Sequence, residues 1–273
     1  MMARSARLVR VLLGLVLASP AWAADRCEAP EGAAGIPAAL SHAASVLHPG
    51  GTLDVLVVGS ATVFGPEAAL AAGTLASQAV HAGSQAAVPA GSSPLGLPTP
   101  GAFPMVMGRT LEGLVPGVTV HVVVRGARSM AATDMVDLMR TALAEHHYQL
   151  VIWQTGTLEA VRNVQPGDFS QTLAEGAQVV RDANADLVLV DPQYSRFLQT
   201  SANLDPYMQA FSQAAAMPDV VWFRRYDLMR NWVSDGQIDL EHTSKAERRA
   251  AVELLHACLG AQLATLVANS LRS

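Results

Sequence analysis

The stretch Leu53-Asp54-Val55-Leu56-Val57-Val58-Gly59-Ser60-Ala61-Thr62-Val63-Phe64-Gly65 decides the fold. Its first half is a short aliphatic, β-branched run that ends in glycine, the composition of a parallel strand buried on both faces. Beyond Gly59, the hydroxyls of Ser60 and Thr62 can satisfy backbone groups where the next segment starts, so a tight turn is predicted there.

Four similar runs follow, at Val118 to Val124, Leu150 to Trp153, Ala185 to Val190 and Asp219 to Phe223. Helical patterns alternate with them at Phe103 to Leu114, Met130 to His146, Phe169 to Asn184 and Pro206 to Ala216, and an Ala- and Leu-rich helix from Ser244 to Leu271 closes the chain. Strands alternating with helices require right-handed crossovers and a parallel sheet covered on both faces. The expectation is a three-layer α/β/α sandwich around a five-stranded parallel sheet. Residues 66–101 break the spacing: they are nearly all Ala, Gly, Ser, Pro and Thr, and read as an insertion at the C-terminal end of the first strand. In an open α/β sheet that end borders the ligand crevice.

The first residues predict export. Arg4, Arg7 and Arg10 precede an apolar stretch from Val11 to Ala18, too short to span a bilayer, and Ala21-Trp22-Ala23 offers a small-x-small cleavage site. Residues 1–23 are therefore predicted to be a signal peptide, and residues 24–273 a single periplasmic or secreted domain with no further membrane span. Removing the three arginines from 18 basic residues leaves 15 against 23 acidic, a net charge of −8. Such a surface is a poor partner for nucleic acid. Cys27 and Cys258, the two cysteines, lie near opposite ends of this domain. Export favours a disulfide between them over two buried thiols.

Several blocks come in a familiar order. Val57-Val58-Gly59-Ser60-Ala61-Thr62-Val63-Phe64-Gly65, Arg125-Gly126-Ala127-Arg128-Ser129, Val151-Ile152-Trp153-Gln154-Thr155-Gly156-Thr157-Leu158-Glu159 and Asp239-Leu240-Glu241-His242 succeed one another as the four catalytic blocks of the SGNH/GDSL ester hydrolases do. Asp191-Pro192-Gln193-Tyr194 and Phe223-Arg224-Arg225-Tyr226 fit the same context. From about Leu53 to its end the chain resembles an exported bacterial member of that family, which implies the flavodoxin-like SGNH-hydrolase fold.

The resemblance also implies a degenerate site. The family carries its nucleophile as the third residue of a Gly-Asp-Ser turn, and Gly59 and Gly65 align with the two glycines, so Ala61 takes the nucleophile position. A methyl group cannot attack an ester. The family's second block ends in an oxyanion-holding glycine, replaced here by Ser129, and its third reads Gly-Thr-Asn, where Leu158 replaces the amide donor. Only the last block keeps its reactive side chains, Asp239 and His242, with the histidine as general base and the aspartate orienting it; without a nucleophile the pair can instead make a structural hydrogen bond or take part in ligand binding. In the rival register Ser60 is the nucleophile.

Other candidates carry less. His146 and His147 end a helix, where imidazoles meet the helix dipole favourably, while Trp153, Met135 and Met139 read as core, and Arg125 and Arg128 as a solvated turn. Nothing in the sequence brings Glu67 and Glu159 together as a carboxylate pair. No phosphate-cradling loop, zinc cluster or dinucleotide fingerprint is present, so neither metal nor cofactor is expected. The functional expectation is a catalytically impaired SGNH-like protein that binds an acylated glycan or an envelope protein. The alternative is an active serine esterase using Ser60, His242 and Asp239.

Overall fold

The computed structural model describes residues 27–71, 96–240 and 244–273. The predicted signal peptide and most of the 66–101 insertion lie outside the described residues. Five strands form: β1 Thr52–Gly59, β2 Thr119–Gly126, β3 Leu150–Gln154, β4 Asp186–Val190 and β5 Val220–Phe223. All pair in parallel, in the order β2-β1-β3-β4-β5. The expected five-stranded sheet is thus present, and the chain reverses its winding between β1 and β3, which puts a crevice at their C-terminal ends.

Side chains alternate between two cores because successive residues of a strand point to opposite faces. Ile152, Val188 and Val190 pack on the side covered by the helices Phe103–Leu114 and Lys245–Ser270. Val151, Trp153, Leu187 and Leu189 pack on the other, under Ala132–Glu145, Pro166–Asp182 and Asp205–Ala214. The helix Lys245–Ser270 is long and apolar enough to cross a membrane by length and composition, but half of that stretch is buried inside the fold. Leu259, Leu263 and Val267 are core residues, which accounts for its apolarity.

Short helices at Thr157–Val161 and Arg196–Ser201 were not predicted from the sequence. They span five and six residues, too few for a helical period to show. The helix Arg225–Ser234 was missed too, since its start is a cluster of charged and aromatic residues.

Cys27 and Cys258 are bonded, with their Cα atoms 5.0 Å apart. The bridge fixes a lead-in segment along the outer edge of β5. Gln262 Nε2 donates to the Cys27 carbonyl (2.8 Å), Trp232 Nε1 to the Glu28 carbonyl (2.9 Å), and the Arg224 N–H to the Ala34 carbonyl (2.9 Å). At the other landmark of the sequence, residues 66–71 are helical and the Thr99 N–H donates to the Phe64 carbonyl (2.9 Å), so the insertion leaves and rejoins the fold at one place.

Candidate functional site

The site sits where β1 stops. Gly59 has no room for a side chain: a Cβ there would lie 2.6 Å from Val63 Cγ1 and 3.2 Å from Gln154 Cβ. Ser60 is extended (φ −90°, ψ −158°) and half-buried, and a 3₁₀ turn, Ala61–Phe64, follows it. Ala61 is 3% exposed. Thr62, one residue on, donates its hydroxyl to Gln154 Oε1 at 2.5 Å and so ties the turn to the end of β3.

The third block packs beside it. Gly156 takes a left-handed conformation (φ +91°), and a Cβ would press on Phe211 at 2.9 Å, so only glycine fits. The Thr157 hydroxyl accepts from the Gln193 N–H (3.3 Å), joining this block to the loop after β4. Glu159 is buried, and its carboxylate accepts from the N–H of Gly156 (3.0 Å) and of Ala132 (2.7 Å). It therefore pins the start of the helix Ala132–Glu145 to the third block. Glu67 lies apart from it, exposed on the helical segment 66–71 and paired with Arg249 (2.6 Å).

Ser129 has a left-handed backbone (φ +56°), a conformation that costs a non-glycine residue roughly 1 kcal/mol. The second block thus keeps the backbone shape that suits glycine while carrying a serine. Arg128 is half-buried with a buried Nη1, so the turn is less solvated than expected.

Ser60, Met130, Gln154, Thr155 and Leu158 line a cavity of about 10 Å3, with Glu159 in its wall. That is room for one oxygen atom. A larger groove, about 410 Å3, lies on the flank between the lead-in and the closing helix. Of the last block, Asp239 is exposed in the loop before the closing helix, near enough to act electrostatically on Glu247 in that helix's first turn. His242 lies outside the described residues.

A model of the non-GDSL lipase-like family matches residues 26–273. The chain belongs to that family. Among solved structures, this non-GDSL lipase-like chain is similar to TesA (18% identity, TM-score 0.50, 78% of this chain and 99% of that one). It is also similar to a variant of Axe2, an acetyl-xylooligosaccharide esterase from Geobacillus Stearmophilus (13% identity, TM-score 0.50, 78% and 96%). AlinE4, an SGNH-hydrolase family esterase, matches at 12% identity and a TM-score of 0.47 over 72% of this chain and 88% of that one. The chain has the SGNH/GDSL-like hydrolase fold. No protein of curated function matches it in sequence.

Sequence reasoning missed a second polar cluster in this non-GDSL lipase-like fold. Asp191, directly after β4, accepts from the Tyr226 N–H (2.8 Å) and from Trp222 Nε1 (3.1 Å). Burial pushes its carboxyl up to about 7, against those hydrogen bonds and the Arg225 charge, which favour ionisation. Burial likewise pushes the Arg225 guanidinium down to about 10. His256, on the closing helix, accepts from the Phe103 N–H (3.1 Å), and burial with the Arg225 charge lowers it to about 4, so it is neutral. Charged residues directly after two apolar strand runs were the available signal for Asp191 and Arg225; His256 had none.

Proposed function

We propose that this protein works outside the cytoplasm, in the periplasm or secreted, and binds an acylated glycan or an envelope partner without hydrolysing its ester. Ala61 carries this reading. The residue that the resemblance puts at the nucleophile position is a buried methyl group at the start of the turn, and Leu158 offers the cavity an apolar side chain where an amide would donate. Loss of one oxyanion donor costs roughly 3 to 4 kcal/mol of transition-state stabilisation. The arginine-led apolar leader and the Cys27–Cys258 bridge support export. The glycan component draws on the fold shared with an acetyl-xylooligosaccharide esterase, an analogy of fold alone.

One observation favours a second reading, an active esterase using Ser60 with His242 and Asp239: Ser60 lines the cavity. The deciding experiment is incubation of the mature protein with p-nitrophenyl acetate and with a fluorophosphonate probe. Binding without catalysis gives neither turnover nor labelling; stoichiometric labelling that Ser60→Ala abolishes establishes the esterase instead.

A further inference from the structure

We propose that Gln154, Thr155 and Ser60 form a receptor for one neutral carbonyl oxygen, the acyl oxygen of an O-acylated ligand, replacing the amide that Leu158 no longer supplies. This rests on the reading that the protein binds acyl esters.

β3 reads Leu150-Val151-Ile152-Trp153-Gln154, and all five residues are buried. A primary amide at the end of an otherwise apolar buried strand must find hydrogen-bond partners at both of its ends. Gln154, 3% exposed, finds one: Oε1 accepts from the Thr62 hydroxyl in the turn after β1. That bond orients the amide, turning its NH2 group away from Thr62. Among the described residues nothing accepts from Nε2. Thr155 follows it, also 3% exposed, and its hydroxyl has no partner either. Both residues line the one-oxygen cavity, together with the hydroxyl-bearing Ser60. A buried, unpartnered hydroxyl beside an amide NH2 on the wall of a polar cavity calls for an acceptor in it.

The walls select which acceptor. Glu159 lines the cavity and directs both carboxylate oxygens at the backbone N–H groups of Gly156 and Ala132. A carboxylate in the wall opposes a second carboxylate or a phosphate there. A neutral ester carbonyl carries a single oxygen of the right size and no charge. Leu158, Met130 and Met135 add apolar surface around that oxygen, and the cavity admits the oxygen alone. The receptor therefore prefers the ester to the free acid that hydrolysis would release.

The test follows the Gln154 side-chain NH2 resonances of 15N-labelled mature protein, assigned by their loss in Gln154→Met, during titration with triacetin, glycerol and sodium acetate. Triacetin should shift them saturably, while glycerol and acetate leave them in place; Gln154→Met and Thr155→Val should each weaken triacetin binding about tenfold while keeping the remaining spectrum. Absence of any triacetin shift, or equal shifts with acetate, overturns the receptor, as does unchanged affinity in a folded Gln154→Met. An occupant that is only water gives the first of these results. Free acetate is measured in the same tube: triacetin that shifts Gln154 and is also hydrolysed refutes the binding-without-hydrolysis reading and leaves the receptor standing.

Discussion

Breaking the Cys27–Cys258 bridge should remove a large part of the protein's stability. The bridge closes a loop with a sequence separation of 231 residues. Loop-closure entropy grows as the logarithm of that length, which puts its contribution at ~5 kcal/mol. Both sulfur-bearing residues are buried, Cys258 completely, so the reduced thiols stay in the core and little packing changes. What changes is the lead-in, whose carbonyls at Cys27, Glu28 and Ala34 accept from Gln262, Trp232 and Arg224 and which loses its covalent anchor. For a domain of this size the loss corresponds to a fall in Tm of roughly 10 to 20 °C. The assay is urea unfolding followed by tryptophan fluorescence, on oxidised protein, on protein in dithiothreitol, and on Cys27→Ala/Cys258→Ala. Reduced protein and the double variant should agree with one another and fall far below the oxidised form. Oxidised and reduced proteins that agree within about 1 kcal/mol would refute the cross-link argument.

Glu159→Ala leaves the buried N–H groups of Ala132 and Gly156 without their acceptor, and should cost roughly 3 kcal/mol by denaturant unfolding; a loss below about 1 kcal/mol would show that the carboxylate is not the pin. The pH dependence of stability should hold two opposed contributions. His256 has its folded value lowered to about 4, so its contribution is present above its unfolded value and is lost on acidification from about 6.5 towards 4, a change of ~3 kcal/mol. Asp191 has its folded value raised to about 7, so its contribution is complete below about 4 and is lost as pH rises through 7, ~4 kcal/mol in the other direction. Between pH 4.5 and 6.5 these offset, and Asp191→Asn should leave a stability that climbs with pH, while His256→Gln leaves one that falls; two profiles as flat as that of the parent protein would contradict both assignments. Finally, Ala61→Ser with Leu158→Asn should show p-nitrophenyl acetate hydrolysis on the order of 100-fold above Ala61→Ser alone, because the hydroxyl needs an oxyanion donor. A folded double variant no faster than the single one means that the cleft has diverged beyond those two positions.

Much of this fold is written locally. Apolar, β-branched runs predict the strands, of which β2 at the sheet edge is partly exposed and not buried on both faces, and each predicted strand lies within two residues of its observed ends; the helix Phe103–Leu114 matches at both ends. Gly59 with the hydroxyl residues Ser60 and Thr62 predicts the turn that follows β1, because the close approach at Gly59 leaves its trace in residue type. Two cysteines and the predicted leader suffice to expect the disulfide that forms. What the sequence leaves undetermined are polar pairings across crossovers. Gln154 reads as the end of a strand, and only the fold brings Thr62, 92 residues earlier, to fix its amide. Glu159 reads as a stray carboxylate, and only helix placement hands it the Ala132 N–H. Asp191, Arg225 and His256 come from three elements, joined by burial in one core. Hydrophobic period and turn chemistry are properties of neighbouring residues and survive in a one-dimensional text. Which buried donor meets which acceptor depends on sheet register and on how helices cross the sheet, and these leave no periodic mark on the residues they join.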